Sequence, residues 1–81
     1  MNSIKIVFGF TDNVNKFVKI CEKYSEEIDV SAGRYIVNGK SILGLLSLNL
    51  LDDATVTIHT DNIFTAERFI NEVKGLSRGD R

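Results

Sequence analysis

Between Ala54 and His59 the chain alternates strictly, with Ala54, Val56 and Ile58 apolar and Thr55, Thr57 and His59 polar. Successive strand side chains point to opposite faces, so this pattern predicts a strand buried on one side only. Ile4, Ile6 and Phe8 around Lys5 and Val7 predict a second such strand near the start of the chain. Ile28 and Val30, then Tyr35 and Val37, predict two short strands turned at Ala32-Gly33, a hairpin that ends at Asn38-Gly39. Two helical stripes separate these strands. Val14, Phe17, Ile20, Cys21 and Tyr24 make the first, and Lys16, Lys19, Glu22 and Lys23 fill its outer face. Thr11 or Asp12 is the predicted cap of this helix. Ile63, Ala66, Phe69, Ile70 and Val73 make the other stripe, capped by Asp61 or Asn62 and ended by Gly75. Each stripe needs a sheet face to cover it. The expected fold is therefore α+β, in the order β-α-β-β-α-β-α, with a four-stranded antiparallel sheet and helices packed on one side.

One further segment stands out. Residues 40–50 read KSILGLLSLNL, a short amphipathic helix in which Ser41 holds the N-cap position before Ile42, Leu43, Leu45, Leu46 and Leu48. Asn49 falls where a left-handed residue can end it. Ser47 reads as an ordinary residue of the helix surface or its packing, and Gly44 as a site of close packing. Asp52 and Asp53 then read as solvated turn formers.

Eighty-one residues make a single domain, 1–81, with 76–81 expected as a flexible polar tail. Ten basic against eleven acidic residues give a net charge of −1, which argues against general nucleic-acid binding. The opening MNSIKIVFGF is too short and too alternating for a signal peptide, and no apolar run approaches the roughly 20 residues that cross a bilayer. With its one cysteine, which cannot form an internal disulfide, the chain is expected in the cytoplasm, away from membranes. Cys21 lies mid-stripe and is expected as a small buried hydrophobe rather than a redox or nucleophilic centre. His59 is the sole histidine, too few for a metal set, and is expected as an exposed strand residue. No carboxylate pair, glycine-rich phosphate loop or Ser-His-Asp set is visible, so neither an enzyme nor a cofactor is expected.

The segment KSILGLLSL, with Asn38-Gly39-Lys40 leading into Ser41, resembles the regulatory-serine region of HPr, the small phosphocarrier of the bacterial sugar phosphotransferase system. FVKICEKYSEEIDV resembles that family's first helix and second strand, and the likeness covers nearly the whole chain. It implies an open-faced sandwich with strand order 1-4-2-3. The family's phosphorylated histidine position falls on Phe10, its arginine position on Asp12 and its proline position on Asn13. A phenyl ring has no nitrogen to accept a phosphoryl group, and a carboxylate beside it repels phosphate. The resemblance is therefore to a variant without the active-site histidine, Crh-like in outline. It implies a regulatory phosphorylation at Ser41 and a partner-binding surface of Ile42, Leu43, Leu46 and Phe10. The partners implied are HPr kinase/phosphorylase and a catabolite-control transcription factor, in sugar-transport regulation and catabolite repression. A homodimer is a further expectation that the sequence leaves open. Two alternatives also stay open: a diverged domain of the same fold that binds a protein or ligand without phosphorylation, and a phosphocarrier with its acceptor relocated to His59. An unrelated small-molecule module fits less well, because the short helix and the match over 40–50 would go unexplained.

Overall fold

The computed structural model describes residues 2–77. The elements are β1 (Ser3–Ile6), α1 (Thr11–Cys21), β2 (Glu27–Ala32), β3 (Tyr35–Asn38), α2 (Ile42–Leu46), β4 (Ala54–His59) and α3 (Ile63–Ser77). The strands form one antiparallel sheet in the order β1-β4-β2-β3. Ile4 pairs with Val56 and Val56 with Val30, so the apolar residues of neighbouring strands stand on the same face. Thr57, Ser3 and Asp29 share the other face, where the Ser3 and Thr57 hydroxyls hydrogen-bond at 2.9 Å. The alternation read at 54–59 is what fixes this register, because a one-residue slip would turn Val56 and Ile58 to water.

Helices cover the apolar face, with Phe17, Phe69, Ile28, Leu45, Ile58, Val30 and Val56 fully buried between the layers. Phe8 meets Phe17 edge-to-face at 5.2 Å, and Tyr24 meets Phe69 in the same way at 5.2 Å. Such pairs add about 0.5–1.5 kcal/mol beyond their area burial. In α1 the buried set is Val14, Phe17, Val18 and Cys21. Val18 was not in the stripe read from the sequence, although it lies one turn after Val14. The β2–β3 turn is Gly33–Arg34, with φ +63° at Gly33 and no left-handed residue after it. Positive φ at the first central position alone fits the type II′ hairpin, where glycine is favoured.

Several expected boundaries differ. Neither Thr11 nor Asp12 caps α1; the helix starts at Thr11, and Phe10 holds the N-cap position with no side-chain hydrogen bond. Asn62, of the two candidates, caps α3: its Oδ1 accepts from the Phe64 and Thr65 amides at 2.9 and 3.1 Å. Ile63, expected in the buried stripe, is exposed, because it occupies the first helical position and the stripe begins only at Ala66. Gly75 does not end α3, which runs on to Ser77; Leu76 packs against the core, and that burial carries the helix past the glycine. The expected tail therefore starts no earlier than residue 78, and 78–81 lie outside the described residues.

At the far end of α1, Tyr24 donates to Glu72 Oε1 at 2.5 Å, Lys23 pairs with Glu72 Oε2, and the Arg68 guanidinium lies 5.9 Å from the Tyr24 ring centre. Burial opposes ionisation of Glu72, but the hydrogen bonds from Lys23 and Tyr24 outweigh it and hold its pKa below 4.5. Burial, reinforced by the bond to Glu72, pushes the Tyr24 phenol up to about 12. Burial likewise pushes the Cys21 thiol up to about 12, partly offset by Lys40. Both groups keep their protons in the folded chain after the unfolded chain has begun to lose them, near pH 9.0 for the thiol and 10.0 for the phenol. Their contribution to stability is complete below pH 9 and falls as pH rises toward 12. The melting temperature should therefore drop between pH 9 and 11, and Cys21→Ala should flatten the first part of that decline. A melting temperature unchanged across this window would contradict the assignment.

Candidate functional site

The loop between β1 and α1 leads with Gly9 at φ +86°, a left-handed conformation in which any side chain would be strained. Its amide donates to the Leu50 carbonyl at 2.8 Å, which ties this loop to the segment after α2. Phe10 follows with extended backbone, φ −158° and ψ 172°, and the residue is 53% exposed. A capping Ser, Thr, Asp or Asn would return an oxygen to the free amides of the first turn, and a phenyl ring cannot. The neighbouring polar residues serve locally instead. Asn13 turns its side chain back, and Nδ2 donates to the Phe8 carbonyl at 2.7 Å. Asp12 lies exposed in the first turn, where its carboxylate favours the positive end of the helix by about 0.3–1 kcal/mol. Lys5, Phe8, Gly9, Phe10, Asn13 and Asp53 bound a cavity of about 310 Å³ at this loop.

The second half of the site begins at the turn after β3. Gly39 is buried there, and its amide bonds the Ile28 carbonyl at 2.8 Å. Lys40 reaches across to the Tyr24 carbonyl at 2.6 Å, anchoring the chain just before α2. Ser41 is the N-cap: Oγ accepts from the Gly44 amide at 3.0 Å, and its carbonyl accepts from the Leu45 amide at 3.0 Å. A Cβ at Gly44 would stand 3.2 Å from Ser41 Oγ and 3.3 Å from Val37 Cβ, so the expected close packing is present.

The helix is shorter than the sequence indicated. It spans Ile42–Leu46, and only Leu45 turns into the core, while Ile42, Leu43 and Leu46 face solvent, Leu43 at 83% exposure. Ser47, not Asn49, is the C-cap; it is right-handed, and its hydroxyl donates to the Gly44 carbonyl at 2.6 Å. Asn49 builds the next turn instead, accepting from the Leu51 amide at 3.0 Å through Oδ1. This arrangement places Leu50 against the core and Leu51 outside at 74% exposure. The sequence reading did not select Leu51, although a Leu-Leu doublet in a turn has room for only one member inside.

The remaining candidates lie elsewhere. His59 sits on the opposite face of the sheet, at the end of β4 away from Ala54 and the Phe10 loop, and its Nε2 is 2.7 Å from Asp29 Oδ2. That partner becomes visible only once the β2–β4 register is known. Cys21 is fully buried. Among the described residues no group of three metal-ligating side chains occurs, and no helix is long and apolar enough to cross a membrane.

The family model described as "PTS HPr component phosphorylation site" matches residues 12–77. HPr-C-His from Thermoanaerobacter tengcongensis superposes with a TM-score of 0.79 at 24% identity, over 95% of this chain and 91% of that one. The phosphocarrier protein HPr of Bacillus anthracis gives 0.72 at 17% identity, over 94% and 95%. The histidine-containing phosphocarrier protein of a mycoplasma gives 0.74 at 16% identity, over 91% and 89%. None of the curated proteins matches the chain. The order β1-β4-β2-β3 with three helices over one face is the fold of these HPr structures. With most of its length matched by the family model, this chain belongs to the PTS HPr family.

Proposed function

We propose that this chain is a non-catalytic, regulatory or adaptor member of its family, acting through Ser41 and the apolar surface beside it, without phosphohistidine carrier activity. The observation that carries this reading is the pair of residues that begin α1. Phe10 holds the N-cap as an exposed residue, and Asp12 follows in the first turn with an exposed carboxylate. The phenyl ring has no atom that can accept a phosphoryl group, and the carboxylate turns a phosphate-attracting helix start into one that repels an anion. The match to the family model begins at residue 12, beyond Phe10.

Ser41 keeps what a regulatory serine needs. It is half-buried at the mouth of a helix, and Ile42, Leu43 and Leu46 lie exposed beside it. A phosphate there would replace a neutral cap by a group of about −2 charge bordering an apolar docking surface. HPr kinase/phosphorylase and a catabolite-control transcription factor are the partners this implies, in a cytoplasmic setting. The competing reading, a diverged domain with no phosphorylation, draws on the same hydroxyl being already engaged as a helix cap.

Phosphoenolpyruvate and the first enzyme of the phosphotransferase system should leave no acid-labile phosphate on this protein, while an HPr treated in parallel is labelled. Phosphate on His59, abolished by His59→Ala, would overturn the non-carrier reading and establish a relocated acceptor.

A further inference from the structure

The apolar end of the molecule carries carboxylates. Phe10 and Asp53 bound one cavity, Asp12 lies two residues beyond Phe10, and Asp52 precedes Asp53 in the loop that holds Leu51 outward. All three aspartates are exposed. Among the described residues Lys23 pairs with Glu72 and the His59 ring contacts Asp29, so none of the three is paired with a cation there. Lys5 stands on the wall of the Phe10 cavity, and Arg34 shares a second hollow with Asp52, but neither closes on a carboxylate. Residues 41–51, which supply the adjoining apolar surface, contain no charge of either sign.

We propose that this end of the molecule docks an amphipathic protein segment whose apolar stripe is flanked by lysine or arginine. This rests on the adaptor reading above and names the chemistry of the partner. Covering Phe10, Leu46 and Leu51 strips water from the neighbouring carboxylates, which is costly unless the partner supplies donors or cations. Cations at the rim satisfy Asp12, Asp52 and Asp53 and speed encounter, whereas an acidic partner meets like charge. The same carboxylates turn away nucleic acid and anionic membrane, leaving a basic protein surface as the occupant.

The test uses the full chain, 15N-labelled, titrated with a synthetic amphipathic helix of leucine and lysine and with its leucine–glutamate counterpart. The lysine peptide should bind and shift amides within residues 9–13 and 42–53, and the glutamate peptide should not. Asp12→Asn combined with Asp52→Asn and Asp53→Asn should weaken binding roughly tenfold, as expected of three rim charges. Phe10→Ala should weaken it with the charges intact. Equal binding of both peptides, shifts centred on other surfaces, or no effect of neutralisation would overturn the proposal. Phosphorylation of Ser41 is scored independently. A labelled Ser41 with no preference for the lysine peptide removes the basic partner and leaves the regulatory reading; the opposite pair of results removes the regulatory phosphorylation alone.

Discussion

Phe17→Ala should strip about 3–5 kcal/mol from the stability of this protein. Phe17 is fully buried on α1 and stacks edge-to-face on Phe8, the residue that enters the Phe10 loop. Removing a buried phenyl ring costs about 3–5 kcal/mol through lost transfer energy and the cavity left behind. A chain of 81 residues has a total stability on the order of 4–12 kcal/mol, so the loss takes a large share of the margin and lowers the urea midpoint accordingly. Phe17→Leu, which fills most of the volume, should cost under about 2 kcal/mol and stay folded. Urea denaturation followed by circular dichroism measures both. A Phe17→Ala protein within 1 kcal/mol of the parent (on the order of experimental scatter) would mean that the contact between α1 and the loop is not formed.

The second large effect is expected at Gly39, where no side chain fits. A Cβ there would lie 2.7 Å from Ile28 Cγ2 and 3.2 Å from both Ile28 Cβ and the Ile28 carbonyl oxygen. Ile28 is itself 1% exposed in the core and cannot move aside. Gly39→Ala must therefore push β3 away from β2 at the point where the chain enters α2. Overpacking of this kind costs about 1–3 kcal/mol. The shift should also be felt at the Ser41 cap, so the Gly44 amide should lose hydrogen-exchange protection in the variant. Unchanged stability in Gly39→Ala would show that the turn has room the geometry denies. The glycine answers to packing here and not to backbone conformation, since among the described residues only Gly9 and Gly33 have positive φ.

That difference illustrates how much of the molecule could be read in advance. The alternations at 4–8 and 54–59 and the stripes of α1 and α3 report burial directly, and they placed the strands, the helices and most of the core. Ser41 was legible as a cap because Ser before an apolar run has one economical use, bonding the amide three residues on. Asn38-Gly39 was legible as a turn, but the reason for its glycine was not, because Ile28 lies eleven positions earlier and meets it only through the sheet. Chain ends of helices were the weakest point. Gly75 and Asn49 carry local stop signals, and other contacts decided otherwise: Leu76 packs on the core, and the local Ser47–Gly44 hydrogen bond closes α2 before Asn49 is reached. The Phe10 cap was hidden for a similar reason. Thr11 and Asp12 are better caps by type, but burial of Val14, Phe17, Val18 and Cys21 fixes the phase of the helix and draws its start back to Thr11.

The site shows the same division. Phe10, Asp12, Ile42, Leu43 and Leu46 were named from the sequence, and all are exposed toward solvent. What joins the two halves is the hydrogen bond from Gly9 to Leu50, forty-one residues apart in the chain (50 − 9), which no local pattern announces. Leu51 and Asp53 become part of the surface only through that bond and the cavity beside it. The pairing of His59 with Asp29 likewise depends on strand register, and it lies on the far face of the sheet from Phe10.

The most direct test of the regulatory reading is to incubate the purified protein with ATP and an HPr kinase/phosphorylase and locate any phosphate by mass spectrometry. Ser41→Ala serves as the control, and an HPr is labelled in parallel. A single phosphate is expected on Ser41 and absent from the variant. An unlabelled protein beside a labelled HPr would contradict it, leaving Ser41 as a helix cap on a domain that has kept the fold and lost both phosphorylations.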